Sequence, residues 1–282
     1  MESILSLENV TKKYDGFTLD RININVPSGC IMGFIGANGA GKTTTIKLIL
    51  DLIHKDEGQI SILGQNGSSG LCAVKEDIGV VLDESNFPEN MSVKDVNRIM
   101  KNIYQNWDEK KFLTMTHRFD LAPDKIVKNY SRGMKMKLSI AVALSHDAKL
   151  LILDEATSGL DPIARDEILD VLLDFIQDES HSVFMSSHII SDLEKACDYI
   201  TFIHLGRIVF SDTKDELLES YGLLKCTQSE FEALDPAIVK GYRKNSFGVE
   251  AMVLKKQLAG KYVVDPASIE DIMLYHVKET NQ

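Results

Sequence analysis

The first part of the chain alternates apolar and polar positions with a period of two. In residues 19–26, every second residue from Ile22 onward is apolar and its neighbours are polar. This period is typical of a β-strand with one buried and one exposed face, so the segment predicts a half-exposed antiparallel strand. Further strands are predicted at residues 59–63 and 78–82, with a Gly/Ser-rich turn at residues 64–70 between them.

A mainly helical stretch follows, from about Ser92 to His146. Ser92 and Asp95 resemble an N-terminal capping arrangement at the start of the first helix. Four apolar residues then fall on one helical face: Val96, Ile99, Met100 and Ile103. Because an apolar face needs a packing partner, we expect a helical subdomain at about residues 88–146, inserted in the fold.

Apolar strands and helices alternate after this stretch. Residues 150–153 are apolar throughout, as expected for a parallel strand that is covered on both faces. Helices are predicted at residues 162–177 and 189–197, and strands at residues 182–186 and 199–205. Such alternation predicts an α/β fold with a parallel core sheet.

The last part of the chain has a different pattern. Residues 223–282 carry short strand and helix signals and end in an amphipathic segment at residues 268–277. They predict a small α+β appendage, accessory or regulatory, that follows a main domain of residues 1–222. No internal repeat is present, so the chain contains one copy of that main domain.

Composition and charge restrict the possible partners. With 282 residues, of which 44% are hydrophobic and 26% charged, the chain is long enough for one large domain and a small appendage. Its formal net charge of −11 argues against a nucleic-acid partner, because binding through phosphate neutralisation requires a basic surface. We therefore expect no nucleic acid among its partners.

The cysteines and the start of the chain indicate the compartment. Four cysteines lie far apart with no C-x-x-C pair: Cys30, Cys72, Cys197 and Cys226. We interpret them as small buried apolar residues in a reducing compartment, and not as a zinc site or a disulfide framework. The chain starts without a basic and apolar leader, and no apolar run approaches the ~20 residues needed to span a bilayer. We expect a cytosolic protein, unless a partner carries it to a membrane.

A glycine-rich loop carries the clearest chemical signal. Residues 36–44 read Gly-Ala-Asn-Gly-Ala-Gly-Lys-Thr-Thr and fit the phosphate-loop pattern G-x-x-x-x-G-K-[ST]. They follow the apolar run 30–35 and precede an apolar helix predicted at residues 45–50. The loop contains three glycines: Gly36, Gly39 and Gly41. Their backbone freedom lets successive N–H groups point inward and cradle phosphate oxygens, with the positive end of the following helix beside them.

The polar residues of this loop have separate expected tasks. Lys42 would reach the β- and γ-phosphates of a nucleotide, while the Thr43 hydroxyl would bind Mg²⁺. Two neighbours are further candidate nucleotide contacts: Asn38 and Thr44. The pattern, with a strand before it and a helix after it, predicts binding of a nucleoside triphosphate.

Two carboxylates stand at the end of the apolar run 150–153, where α/β folds place their ligand sites. Asp154 would hold Mg²⁺ through water, which leaves Glu155 to act as general base toward an attacking water. An isolated Asp at such a place often caps a helix instead. Beside a phosphate loop, the catalytic interpretation is favoured.

Several further segments resemble one family. Residues 129–135, Asn-Tyr-Ser-Arg-Gly-Met-Lys, resemble the Leu-Ser-Gly-Gly-Gln signature of ATP-binding cassette proteins, and Ser131 lies 23 residues before Asp154. Residues 158–161 resemble the D-loop of that family, and His188 its switch histidine. The resemblance covers about residues 1–220, and the form of the signature is similar to that of cassettes of bacterial type-2 exporters, including peptide and antibiotic exporters.

The resemblance implies an adenine-stacking role for Tyr14 and a place in the γ-phosphate region for His188. Without the resemblance, Tyr14 would be interpreted as an ordinary aromatic residue of an edge strand. His188 would be interpreted as a residue at the start of a helix. The resemblance also adds four candidate nucleotide contacts: Ser131, Arg132, Gly133 and Asp161.

The resemblance further implies a fold and a function. The expected fold is the P-loop NTPase fold of ABC ATPases, with a parallel core sheet, an antiparallel β subdomain, a helical subdomain and the α+β appendage. The expected function is an ATP-binding and ATP-hydrolysing exporter subunit that uses Mg²⁺, with Glu155 and His188 as the catalytic pair. In this family the signature of one cassette closes over the nucleotide of another, so a second nucleotide-binding subunit is expected, identical or different.

The expected place of the protein is peripheral, on the cytoplasmic face of the membrane. A transmembrane exporter subunit would be received by a groove at residues 84–104, next to the position of the family's Q-loop. Three apolar residues there are candidate contacts: Phe87, Met91 and Ile99, of which Ile99 also fits simple helix packing.

Two departures from the family pattern bear on the chemistry. Asp83 occupies the position at which the family usually has the Q-loop glutamine, and a carboxylate there binds Mg²⁺ but donates no hydrogen bond while ionised. Arg132 and Met134 replace Gly and Gln of the signature. Arg132 either adds charge near the phosphates or points to solvent.

A different class of function also fits the chain. A non-hydrolysing or regulatory ATP-binding subunit of a heterodimer is favoured by Asp83, Arg132 and Met134, and opposed by Glu155 and His188. Soluble translation or DNA-repair ATPases of this family typically carry two cassettes or a long coiled coil. A GTPase is not favoured either, because the sequence lacks the Asn-Lys-x-Asp motif that binds guanine.

Overall fold

The alternating pattern near the start of the chain forms an antiparallel sheet, which confirms the predicted strand. The computed structural model describes residues 3–83, 87–246, 248–258 and 262–280. The strand order in this sheet is β2 (Phe17–Pro27), β1 (Ser3–Tyr14), β4 (Glu57–Ile62) and β5 (Gln65–Asn66). Three apolar residues of β2 with a spacing of two are buried in a shared core and anchor this sheet: Ile22, Ile24 and Val26.

A six-stranded sheet forms the centre of the fold, as the α/β alternation predicts. Its order is β10 (Arg207–Thr213), β9 (Tyr199–His204), β3 (Ile31–Ile35), β8 (Ser182–Ser187), β7 (Leu150–Asp154) and β6 (Ile78–Val81). The pairs from β9 to β6 are all parallel, while β10 pairs antiparallel with β9. Every residue of β7 is buried, because both faces of the strand are covered. The carboxyl ends of β3, β6, β7 and β8 therefore meet at one edge.

Eight helices accompany these two sheets in the part of the chain that the structure describes. They are α1 (Lys42–Ile49), α2 (Gly67–Val74), α3 (Val93–Ile103), α4 (Glu109–Arg118), α5 (Arg132–Leu144), α6 (Pro162–Phe175), α7 (Ile190–Ala196) and α8 (Lys214–Ser220). Short 3₁₀ segments add Lys75–Asp77 and Val127–Asn129. None of the described helices is long and apolar enough to cross a bilayer.

The helical stretch contains α3, α4 and α5, and the capping arrangement at its start is confirmed. The Ser92 side chain accepts from the backbone N–H of Asp95, and the Asp95 carboxylate accepts from the backbone N–H of Ser92. The predicted apolar face of α3 is only partly correct. Val93 and Val96 are buried, whereas Ile103 is 59% exposed because the helix ends there.

The predicted turn at residues 64–70 is wrong in part. β5 ends at Asn66, and α2 begins at Gly67 inside the Gly/Ser-rich segment. Leu71 and Val74 of α2 are buried in the core shared with the antiparallel sheet. Burial of these two residues outweighs the weak helix propensity of the segment, since tertiary packing overrides local preference.

The cysteines follow the prediction in part. Cys30 and Cys197 are buried, Cys226 is half-buried and Cys72 is exposed, and all four are free. Burial raises the pKa of the Cys30 thiol to about 12, with the nearby Asp198 carboxylate adding to the effect. The two buried thiols are therefore small apolar core residues, as expected.

The C-terminal part forms a second antiparallel sheet and two helices. The strand order is β12 (Val239–Asn245), β13 (Gly248–Leu254), β11 (Tyr221–Cys226) and β14 (Val264–Pro266). The helices are α9 (Gln228–Glu232) and α10 (Ile269–Thr280), with 3₁₀ segments at Pro236–Ile238 and Lys255–Gln257. The predicted domain boundary after Gly222 lies inside β11, where Gly222 pairs with Val253 and Pro266. The division into two domains stays a prediction.

Helix α10 joins the C-terminal sheet to the main core. It contacts β12 and β13 of that sheet and also α7 and α8. Ile269, Ile272 and Tyr275 are buried in the same apolar cluster as Leu193 of α7 and Leu217 of α8. The core of the main domain is therefore completed by residues of the C-terminal part.

Replacing Ile272 with alanine is expected to lower the free energy of unfolding by about 2–5 kcal/mol, because a fully buried side chain leaves a cavity. The matched control is Leu274→Ala on the same helix. Leu274 is 41% exposed, so its replacement should cost about 0.5 kcal/mol or less. Chemical denaturation of both variants measures the difference. Equal stability of the two variants would contradict the shared core.

Candidate functional site

The phosphate loop connects β3 to α1, as the sequence predicts. Gly39 and Gly41 have φ values of 80° and 116°, in the region that favours glycine. At Gly36 a side chain is excluded for a different reason, since a Cβ would lie 2.5 Å from the Ile203 carbonyl oxygen. In the described part of the chain no side chain caps the start of α1, so the first N–H groups of this helix remain available to an anion.

A cleft of about 600 Å³ opens beside this loop. It is lined by Phe17, Asn38, Gly39, Gly41, Lys42, Thr43, Thr44, Asp83, Glu155, Ser158 and His188. The structure thus brings together the phosphate loop, the catalytic candidates and the carboxylate at the end of β6. Seven predicted site residues do not line it: Tyr14, Gly36, Ser131, Arg132, Gly133, Asp154 and Asp161.

Glu155 lies between two basic side chains at the centre of the cleft. Its Oε1 is 3.2 Å from Lys42 Nζ and its Oε2 is 2.5 Å from His188 Nδ1. The Glu155 side chain is 14% exposed, while that of His188 is 45% exposed. The carboxylate is thus largely shielded from bulk water but remains at the cleft wall, a place suited to a general base.

Lys42 is buried and directed at the loop itself. Its side chain is 6% exposed, and Nζ donates to the Gly36 carbonyl oxygen at 2.7 Å in addition to its ion pair with Glu155. A buried ammonium needs such partners, because desolvating an unpaired charge is costly. A triphosphate bound on the loop would offer phosphate oxygens to the same group.

A buried serine contacts both acidic residues at the end of β7. Ser186 Oγ donates to Asp154 Oδ1 at 2.6 Å and accepts from the backbone N–H of Glu155 at 3.0 Å. Glu155 has a φ of 52°, unusual for a residue other than glycine. The hydrogen bond from its N–H therefore helps to fix a turn that directs Glu155 into the cleft while Asp154 stays buried.

The residues of the signature-like segment lie at the start of α5, outside the cleft. Ser131 caps this helix by accepting from the N–H of Met134 at 3.2 Å. A Cβ at Gly133 would meet no atom closer than 3.8 Å, so the backbone there is open. Arg132 is about half exposed and forms an ion pair with Asp83, a cleft-lining residue, so the contact of Arg132 with a nucleotide stays a prediction. Ser131 and Gly133 are therefore separate from the phosphate loop of their own chain.

Asp161 has a local structural role. Its side chain caps α6 by accepting from the backbone N–H groups of Ile163 and Ala164. The hydrogen bond from Ala164 is the largest cause that holds the pKa of Asp161 below its usual range, and the one from Ile163 adds to it. The nucleotide contact expected of Asp161 stays a prediction.

Tyr14 stands beside the cleft without lining it. Its side chain is 47% exposed, and Lys12 Nζ lies 5.6 Å from the centre of its ring. Phe17, which pairs with Tyr14 in the hairpin of β1 and β2, does line the cleft. Stacking of Tyr14 on a base stays a prediction, and Phe17 is an aromatic that the sequence interpretation missed.

Comparison with known proteins gives the family. Residues 19–158 match the family described as ABC transporter. Over 213 residues the chain is 36% identical to the bacitracin transport ATP-binding protein BcrA of Bacillus licheniformis, an alignment that covers 74% of this chain and 69% of that protein. The chain belongs to the ABC transporter family. Its α/β fold with added antiparallel and helical parts is the ATP-binding cassette fold, as expected.

Two further matches describe how far this cassette resembles others. It is 31% identical over 285 residues to an uncharacterized ABC transporter ATP-binding protein, YhcH of Bacillus subtilis (strain 168), covering 99% of this chain and 92% of YhcH. A solved structure of an ATP binding subunit of an ABC transporter matches with a TM-score of 0.68 and 26% identity, covering 76% of this chain and 92% of that one. The match to YhcH therefore includes the C-terminal sheet.

The cassette offers oxygen ligands suited to Mg²⁺. The Thr43 side chain is exposed at the start of α1, Asp83 is half-exposed at the cleft wall, and Asp154 is buried with Ser186 as its partner. Among the described residues, no group of three or more His, Cys, Asp or Glu could hold a metal by itself. Thr43 and Asp83 line the cleft and fit Mg²⁺, which is usually held by one or two carboxylates together with substrate phosphates and water. Asp154 is buried outside the cleft lining, so its role toward Mg²⁺ stays a prediction.

Two polar residues of the cassette's site were missed by sequence interpretation. Ser158 lines the cleft, although the D-loop resemblance singled out only Asp161 as a contact. Ser186 lies two residues before His188 at the end of β8, and its spacing from His188 was the available signal. Its role depends on β7 and β8 being adjacent, which the local sequence does not specify.

Proposed function

We propose that this cassette hydrolyses ATP and couples hydrolysis to export through a separate transmembrane subunit. The observation that carries the hydrolytic part is the contact of Glu155 with both Lys42 and His188 beside the phosphate loop. A non-hydrolysing cassette has no need for a shielded carboxylate held against a histidine at this place. The departures at Asp83 and Arg132 leave this pair intact.

The chemistry would proceed from the side chains as they are placed. The loop N–H groups bind the phosphates, and Lys42 exchanges the Gly36 carbonyl for phosphate oxygens. Glu155 accepts the proton of a water whose oxygen attacks the γ-phosphorus, while the bond to the bridging oxygen breaks and ADP leaves. His188, fixed through Nδ1 by Glu155, keeps Nε2 for the transferred phosphoryl group. Bound Mg²⁺ would neutralise charge on the phosphates, with Thr43 and Asp83 as its protein-side oxygens and Asp154 acting through water.

A dimer is supported by the separation of the two nucleotide motifs. Ser131 and Gly133 do not line the cleft of their own chain, and Ser131 is exposed at the start of α5. In the resembled family, this segment closes over the nucleotide of another cassette. We therefore propose that a second cassette, either a copy of this chain or a related subunit, completes each site.

Export is supported by the named relatives. The match to a bacitracin transport protein makes a peptide antibiotic or a similar compound the proposed cargo. We propose that the cassette binds a transmembrane exporter subunit at the cytoplasmic face of the membrane. Phe87, Met91 and Ile99 are half-buried, and the first two pack against the core. Residues 84–86 of the expected groove lie outside the described residues.

The C-terminal unit is proposed to stabilise the cassette and to act as an accessory part of the dimer. None of its described residues lines the nucleotide cleft, but its helix α10 is buried against α7 and α8. This packing supports a role of the C-terminal unit in the stability of the cassette. Its role in the dimer depends on whether the second cassette binds to the surface of this unit.

Phosphate release tests the proposed function. Purified protein is incubated with Mg-ATP, alone and after copurification with its membrane partner from detergent extracts. We expect ATP-dependent phosphate release that increases in the complex. ATP binding without phosphate release in either sample would favour the regulatory, non-hydrolysing alternative and contradict the proposal.

Replacing Ser186 with alanine is expected to lower turnover by about 10- to 100-fold, because Glu155 and Asp154 lose the hydroxyl that fixes them. The free energy of unfolding should fall by about 1–3 kcal/mol, since Asp154 loses a buried donor. Ser182→Ala is the matched control, because Ser182 is equally buried at the far end of β8. That variant should lose stability but keep turnover. Equal turnover in the two variants would exclude the positioning role of Ser186.

A further inference from the structure

The two residues at which the sequence departs from the family pattern contact each other. Arg132 at the start of α5 forms an ion pair with Asp83, which follows β6 at the cleft wall. The guanidinium group also lies against Gly159, where a Cβ would be 3.3 Å from its Nη1. One side chain thus joins three segments: the end of β6, the start of α5 and the loop that follows Glu155.

We propose that Arg132 is a positioning residue that holds the Asp83 carboxylate at the wall of the ATP cleft. In this position the carboxylate binds the Mg²⁺ of Mg-ATP. Arg132 itself does not line the cleft, so it acts through Asp83. This inference rests on the proposed nucleotide function of the cleft. It goes beyond that function because it assigns Mg²⁺ binding to Asp83 and Arg132 acting together, the two residues that depart from the family pattern.

Electrostatics explain why Asp83 needs this partner. Two carboxylates line the cleft, and Glu155 is already paired with Lys42 and His188. A bound triphosphate adds several negative charges, which would repel a free carboxylate toward solvent. Among the described residues, Arg132 is the cation paired with Asp83. Its charge therefore keeps the carboxylate at the wall against this repulsion.

Stability is a poor alternative explanation for the pair. Both side chains are about half exposed, and ion pairs at such positions contribute little to folding. Variants of either residue should therefore fold. An effect of these variants on nucleotide binding then reports on the cleft and not on the fold.

The geometry favours arginine over lysine at this position. The guanidinium is planar and carries several donors, so one edge reaches Asp83 while the group lies along Gly159. A lysine would supply a point charge without the flat contact. We expect Arg132→Lys to keep part of the function that Arg132→Gln loses.

The experiment is a double-mutant cycle on the full chain. Binding of a fluorescent ATP analogue is titrated with Mg²⁺ in the wild type, Arg132→Gln, Asp83→Asn and the double variant, and turnover is measured in parallel. Arg118→Gln is the matched control, because Arg118 forms an equally exposed pair with Asp174 away from the cleft. Asp83→Asn removes a proposed Mg²⁺ ligand and Arg132→Gln removes the residue that orients this ligand, so each single variant should raise the half-saturating Mg²⁺ concentration about 10-fold.

The cycle has distinct outcomes. If Arg132 acts through Asp83, the double variant should have the same half-saturating Mg²⁺ concentration as Asp83→Asn. The control Arg118→Gln should have that of the wild type. The inference is overturned if Arg132→Gln has the same half-saturating Mg²⁺ concentration as the control. It is overturned as well if the increase in the double variant is the product of the increases in the two single variants. It is also overturned if Arg132→Gln weakens only ATP-dependent association of two chains. Failure of the wild type to bind Mg-ATP would instead contradict the proposed function.

Discussion

Glu155→Gln is expected to abolish ATP turnover and to preserve ATP binding. The glutamine keeps the shape of the side chain but cannot accept a proton from water, and loss of a general base typically costs about 10²- to 10⁴-fold in rate. Lys42 and Thr43 remain on the phosphates, so bound ATP should persist. In a cassette that dimerises on ATP, the variant should accumulate as an ATP-bound dimer.

Sizing the Glu155→Gln variant with and without Mg-ATP tests this expectation, together with phosphate release. Glu167→Gln is a suitable control, because Glu167 is also paired with a lysine, Lys137, but lies away from the cleft. The control should turn over ATP like the wild type. Wild-type turnover in Glu155→Gln would exclude Glu155 as the base.

Lys42→Ala is expected to weaken ATP binding by about 10- to 100-fold, because a charged donor to the phosphates is removed. The same change leaves Glu155 with His188 as its remaining basic contact in the cleft. Lys47→Ala on the same helix is the matched control, because Lys47 is exposed. Affinity measured at one fixed salt concentration should fall only in Lys42→Ala.

Denaturation curves of the two lysine variants are needed beside the binding data. Lys42 is buried, so its removal also changes the packing under the phosphate loop. A folded Lys42→Ala protein with wild-type ATP affinity would rule out the phosphate-loop interpretation.

The phosphate loop and the parallel core could be predicted because their signals are local. The loop needs glycine at set spacings, and a strand buried on both faces needs an unbroken apolar run such as β7. The capping box at Ser92 is equally local. These features require no knowledge of which elements are neighbours.

Features that depend on tertiary neighbours were predicted less well. Helix α2 forms within a Gly/Ser-rich segment because Leu71 and Val74 find a buried place. Phe17 lines the cleft because the hairpin of β1 and β2 directs it there. In each case the structure depends on a packing partner that is distant in the sequence, or on the geometry of a turn.

The pair of Asp83 and Arg132 shows the same limit at the site itself. Each residue was identified as a departure from the family pattern, but 49 positions separate them in the sequence. Only the packing of α5 beside β6 brings them together. The sequence therefore indicated two isolated substitutions where the fold contains one charged contact.

The burial of α10 against α7 and α8 has a consequence for synthesis on the ribosome. Leu193 and Leu217 lie in one apolar cluster with Ile272, which is translated 55 residues or more after either of them. Until that helix emerges from the ribosome, a growing chain exposes an apolar surface beside an otherwise complete nucleotide fold. Such surfaces are prone to aggregation and are bound by chaperones. Nascent chains that stop between α8 and α10 should therefore be recognised as incomplete even though they contain every nucleotide motif.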